Sequence, residues 1–140
     1  MTNRETLRSL AEQVEALSGP SPEVDEAIHA ALAGAEIEWQ DYQKRNAYHR
    51  DGHWVSIGPI PPYTASIDSA MSLVPEGCLF TVRTLWDDER TAGYAVVSRY
   101  ETNTGEHGPR RYWLGEHVAT AGSPALALTA ASLRAIGEGL

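Results

Sequence analysis

The sequence predicts an α+β domain in which a small antiparallel sheet of at least three strands is sandwiched between helical layers. Three observations carry that expectation. Helical periodicity occupies both ends of the chain, β-branched and aromatic residues concentrate between 78 and 118, and apolar side chains fall on both faces of the hairpin that can be built there. A length of 140 residues suits one core, so residues 1–140 are read as a single domain.

Thr2 and Glu5 have capping-box spacing, and Leu7, Leu10, Val14 and Leu17 recur on one helix face, which predicts a helix to about Ser18. Gly19-Pro20 stops it. Ser21 and Pro22 then supply an N-cap and a first helical residue for a second helix with an apolar stripe of Val24, Ala27, Ile28, Ala31 and Leu32, and Gly34 is its expected stop. His29, beside that stripe, reads as a packed or half-exposed histidine rather than a ligand.

Residues 35–62 are weakly periodic and read as a long aromatic and basic loop, with short extended pieces around Ile37–Trp39 and Trp54–Ile57. The loop leaves through Gly58-Pro59-Ile60-Pro61-Pro62. Thr64 is expected to cap a third helix with Ile67, Ala70, Met71 and Val74 at helical spacing, ended by Pro75-Glu76-Gly77.

Residues 78–86 and 91–100 predict a hairpin about the polar connection Asp87–Arg90. Pairing Trp86 with Thr91 puts Leu79, Leu85, Tyr94 and Val96 on one face and Phe80, Val82, Trp86, Ala95 and Val97 on the other. A sheet with one face in water alternates more cleanly, so helices are expected on both sides. A third strand, 111–118, follows a loop at 101–110, and Ser123-Pro124 opens a last helix with Leu126, Ala130 and Leu133 facing inward. The predicted order is α-α-loop-α-β-β-β-α.

Three segments, SGPSPEVDEAIHAAL, PYTASIDSAMSLVPEG and SPALALTAASLRA, together about a third of the chain, carry a resemblance to a known family. They are similar to small bacteriophage and prophage proteins with a phage ABA-sandwich domain. The resemblance implies a helix-sheet-helix sandwich of phage origin and supplies no catalytic residues.

Composition narrows the function classes. The net charge is −8, and residues 1–40 hold eight acids against Arg4 and Arg8. Such a chain lacks the basic footprint of a general nucleic-acid binder. The charged N-terminus has no apolar h-region and no stretch approaches bilayer length, so neither secretion nor membrane insertion is expected. The single cysteine, Cys78, excludes an internal disulfide and suits the host cytoplasm; at the start of an apolar strand it reads as a small hydrophobe.

No familiar nucleophile elbow, phosphate loop or zinc-protease motif occurs, and no cofactor is called for. Asp87, Asp88 and Glu89 at the hairpin tip read as solvated charges. His49, Asp51 and His53 could hold a divalent metal with help from His107 or His117, but their spacing fits no zinc signature and Asp51-Gly52 reads as a turn. The remaining constellation is aromatic and cationic: Trp39, Tyr42, Tyr48, Trp54 and Tyr63 with Lys44, Arg45 and Arg50, joined by Arg83, Arg110 and Arg111. Rings stack on bases and guanidinium groups fork onto phosphate. The sequence therefore nominates Trp39, Arg45, Arg50, Trp54 and Tyr63 as a ligand site in a non-catalytic protein that sequesters a small anion, such as a nucleotide-derived immune signal of the host. The alternative is a protein-interaction or structural accessory, including a homo-oligomer, with no small-molecule ligand. In the blander reading the aromatics of 35–62 only anchor a loop.

Overall fold

The computed structural model describes residues 3–33, 36–40, 45–50, 53–56, 60–87 and 90–139. Its elements run α1 (Asn3–Ala16), α2 (Pro22–Ala33), β1 (Glu36–Gln40), β2 (Arg45–Arg50), β3 (His53–Ser56), α3 (Ile67–Met71), β4 (Cys78–Asp87), β5 (Arg90–Gly105), β6 (Gly108–Ala121) and α4 (Pro124–Gly137). The class is α+β, with two antiparallel meanders, β1-β2-β3 and β4-β5-β6.

α4 organises the core. It is buried almost all round, because it packs against β4, β5 and β6 on one side and against α1 and α3 on the others. Its buried positions alternate leucines (Leu126, Leu128, Leu133) with alanines and Thr129, so neighbouring backbones approach closely. Ser123 caps it as expected, its Oγ accepting from the Leu126 N–H at 3.2 Å. α1 contributes Leu7, Leu10, Ala11 and Val14, one face at the spacing the sequence predicts. In α2, Ser21 Oγ accepts from the Val24 N–H, Ile28 and Ala31 are buried, and Leu32, expected on the apolar stripe, is exposed.

Several expectations are corrected. The segment 35–62, expected as a loop with short extended pieces at 37–39 and 54–57, holds three short strands: β1 and β3 fall at those pieces, and β2 was not expected. Their pairing, with Glu36 opposite His49 and Ala47 opposite Ser56, satisfies the backbone groups that a structureless segment would leave open. Ser66, not Thr64, caps α3, accepting from the Ser69 N–H. Thr64 is occupied elsewhere: its Oγ1 accepts from the Ser21 N–H at 2.9 Å, and its own N–H donates to Asp25 Oδ1 at 2.9 Å. Ala70 and Leu73 are buried and Val74 packs partly buried against the core, while Ile67 and Met71 face solvent. The expected loop at 101–110 is strand almost throughout, turning only at Glu106-His107, with Gly108 at φ 92° closing the turn. The expected cap Thr2, stop Gly34, Gly58-Pro59 and the tip residues Asp88 and Glu89 lie outside the described residues.

The β4–β5 register places Trp86 opposite Thr91, as the hairpin reading requires. Ala95, Val97, Ala119 and Ala121 are buried on the face toward α4. Among the described residues no helix lies on the opposite face, where a second helical layer was expected.

Candidate functional site

Strand pairing separates the residues nominated from the sequence. Trp39 lies opposite Asn46, Gln40 opposite Arg45, His49 opposite Trp54 and Arg50 opposite His53. Trp39 thus lies on β1, Arg45, Tyr48, His49 and Arg50 on β2, and His53 and Trp54 on β3. Asp51, Tyr42 and Lys44 lie outside the described residues. The described residues contain no group of three or more His, Cys, Asp or Glu side chains able to hold a metal ion.

Tyr63 belongs to the core. It is 4% exposed, its hydroxyl is 3.4 Å from His29 Nδ1, and its carbonyl accepts from Thr129 Oγ1 at 2.9 Å. Loss of hydration, reinforced by the charge of Asp25, pushes its phenol above the usual tyrosine range. A ring held this way braces the turn 61–65 against α2 and α4 and offers no face to a ligand.

What the fold does present is the outer face of β4-β5-β6. Register and alternation bring Leu79, Thr81, Arg83 and Leu85 of β4 beside Ser98, Val96, Tyr94 and Ala92 of β5, with Glu116, Val118 and Thr120 beyond them on β6. Leu79 is 54% exposed and Val118 43%. The Arg83 guanidinium stacks on the Tyr94 ring, 4.5 Å from its centroid, which fixes a cation on this face.

The face continues beyond the third strand. β4 begins at Cys78, opposite Arg99, so Tyr100–Gly105 and Gly108–Trp113 proceed as a two-stranded ribbon of roughly 20 Å. A bulge at Arg99/Tyr100 leaves Leu114 without a partner in the ladder and sets the ribbon's twist. Tyr100 pairs with Trp113, and the latter is 59% exposed; Tyr112 and Leu114 are exposed as well. Two-stranded ribbons are marginal in water by themselves.

A smaller feature lies at the opposite, helical side. Arg4, Arg8, Glu12, His117, Arg134 and Glu138 surround a cavity of about 130 Å³ between α1, α4 and β6. Glu138 binds both Arg4 and Arg8, while Arg134 pairs with Glu15. Desolvation works to raise the Glu138 carboxyl, but the Arg4 charge and the hydrogen bonds from Arg8 and Arg4 outweigh it and hold the group below its usual range. Arg4 and Arg8, one helical turn apart, were a legible signal of a shared cationic face; Arg134 and His117 come from distant sequence and were not.

The exposed sheet face was half legible. Two-sided apolarity announced that both faces need cover. α1 and α3 pack against α4 and α2 packs against α1 and β1, so among the described residues no helix is left for the outer face. No protein-family model, curated protein or solved structure matches the chain.

Proposed function

We propose that this chain is a non-catalytic interaction protein whose working surface is the outer face of β4-β5-β6 with the adjoining β5–β6 ribbon. The observation that carries the reading is the run of exposed apolar and aromatic side chains, Leu79, Val118, Tyr100 and Trp113, on one continuous face. The helix-sheet-helix arrangement implied by the resemblance to phage ABA-sandwich proteins is then reached only when a partner supplies the second covering layer, and a role as a phage accessory protein fits that use. Placing a photo-crosslinking phenylalanine derivative at Thr81 tests it in expressing cells. Adducts are expected at Thr81 and not at Glu12 on the exposed side of α1, and equal yields at both positions would refute the reading.

Capture of a small anion is the second reading. Its support is the cavity shared by Arg4, Arg8, Arg134 and His117, a local concentration of cationic groups in an acidic chain. A nucleotide-derived signal is the ligand class it would take. Calorimetry with cyclic and linear nucleotides tests it, and comparing Arg8→Ala with Arg50→Ala decides between this cavity and the β1-β2-β3 sheet. Absence of binding tighter than about millimolar, equivalent to roughly 4 kcal/mol, removes the reading.

A further inference from the structure

We infer that the occupant of the open sheet face is a second copy of this chain, packed sheet to sheet with the strands crossing near a right angle. The inference rests on the interaction reading above and names its partner. Charge placement is the first argument. The described side chains of the three-stranded patch carry one charge of each sign, Arg83 on β4 and Glu116 on β6. Arg83 sits in the row of Tyr94 and Glu116 in the row of Ser98, two residues to either side of Val96, so they occupy diagonally opposite corners of a patch centred on Val96. A two-fold axis through Val96, lying between the sheets and perpendicular to that diagonal, places Arg83 of each copy over Glu116 of the other.

That axis turns the strands of one sheet nearly perpendicular to those of its mate, which is one of the two ways in which sheets stack. An aligned stacking with the axis along β5 would set Arg83 over Thr120 and Glu116 over Leu79, leaving both charges desolvated and unpaired. Arg83 is also already positioned by its stacking on Tyr94. The patch is thus close to neutral and complementary to itself, whereas the whole chain at −8 repels its copies elsewhere.

Area is the second argument, and it brings in the ribbon. Three strands at ~4.8 Å spacing and the span Leu79–Leu85 at ~3.4 Å per residue cover about 14 by 24 Å, on the order of 340 Å² in projection. A stable association hides about 800 Å² on each partner. The sheet alone falls short, so Tyr100 and Trp113, on the same face beyond Ser98, must close over the flank of the mate. This gives the ribbon's exposed aromatics a covering that the described residues of its own chain do not provide.

Light scattering of the purified full-length chain over a concentration series, with circular dichroism to confirm folding, is the test. Twice the chain mass is expected. Val118→Glu should raise the dimer dissociation constant about 100-fold, and Trp113→Ala about tenfold. Arg83→Glu or Glu116→Arg alone should each weaken the dimer about tenfold, and Arg83→Glu combined with Glu116→Arg should restore it, which no merely structural role would do. A chain that stays monomeric to high concentration overturns the inference. A dimer untouched by Val118→Glu and by Leu79→Lys also overturns it, and a double reversal without recovery overturns the crossed geometry. Thr81 adducts to another protein alongside a monomeric purified chain would sink the dimer while sparing the interaction reading; no adducts at all would sink both.

Discussion

Gly93 fixes the distance between the sheet and the start of α4, and replacing it with alanine tests the whole account of the core. A Cβ built there falls closer than 3.0 Å to three backbone atoms, Ser123 O, Ser123 C and Pro124 N. None belongs to a flexible side chain. To reach ordinary contact the first turn of α4 must retreat by about 1 Å or more. Overpacking of this kind costs about 1–3 kcal/mol. The retreat also strains the Ser123 cap, worth about 1 kcal/mol. Together the loss is about 2–4 kcal/mol, which for a chain of this length lowers the melting temperature by about 10 °C. Chemical denaturation with thermal melts measures it, and Gly105→Ala, whose Cβ meets nothing within 4 Å, serves as the control. If Gly93→Ala lies within about 0.5 kcal/mol of that control, the close packing of β5 on α4 is wrong.

Other outcomes follow from individual side chains. Ser132 Oγ is buried and has no hydrogen-bond partner among the described residues, so Ser132→Ala should be neutral or stabilising by up to about 1 kcal/mol in urea titrations, and a clear loss would mean the hydroxyl has a partner. Cys78 is half-buried against the core, so Cys78→Ala should fold with a loss of about 1 kcal/mol and keep the chain's interactions; a folded variant without them would make the thiol functional. The Tyr63 phenol is held above its ordinary value of 10.0, so the native state keeps a proton that the unfolded chain releases. Its contribution is complete below pH 10.0 and is lost as pH rises through the higher folded value. Tyr63→Phe should therefore flatten the decline of stability on the alkaline side, and an unchanged slope in urea titrations across that range would refute the assignment.

How far the sequence reached is seen best in two neighbouring regions. Residues 78–100 were legible down to the Trp86–Thr91 pair, because alternation, β-branching and a polar tip all agree there. Thr64 misled because its type and position suit a cap, and nothing local reveals that Asp25 and Ser21, about forty residues earlier, claim its backbone and hydroxyl. The short extended pieces expected at 37–39 and 54–57 fall in β1 and β3, whereas β2 was missed because charged and amide residues interrupt its alternation. Trp39, Arg45, Arg50 and Trp54 are close in sequence, and the pairing distributes them over the three strands of one meander, which their spacing alone does not reveal. The outer sheet face could be known to need cover, but not what covers it, since that depends on how many helices the core consumes.

The clasp of Glu138 with Arg4 and Arg8 brings the two ends of the described chain side by side. Topologically the fold is close to a ring with a small gap, and a short linker between residues 139 and 3 would seal it. The gap also sits among the helices, on the far side from the outer sheet face. Anything fused to either end would therefore leave from the same side of the domain, and a pair of chains joined through their sheets would carry such cargo on opposite poles.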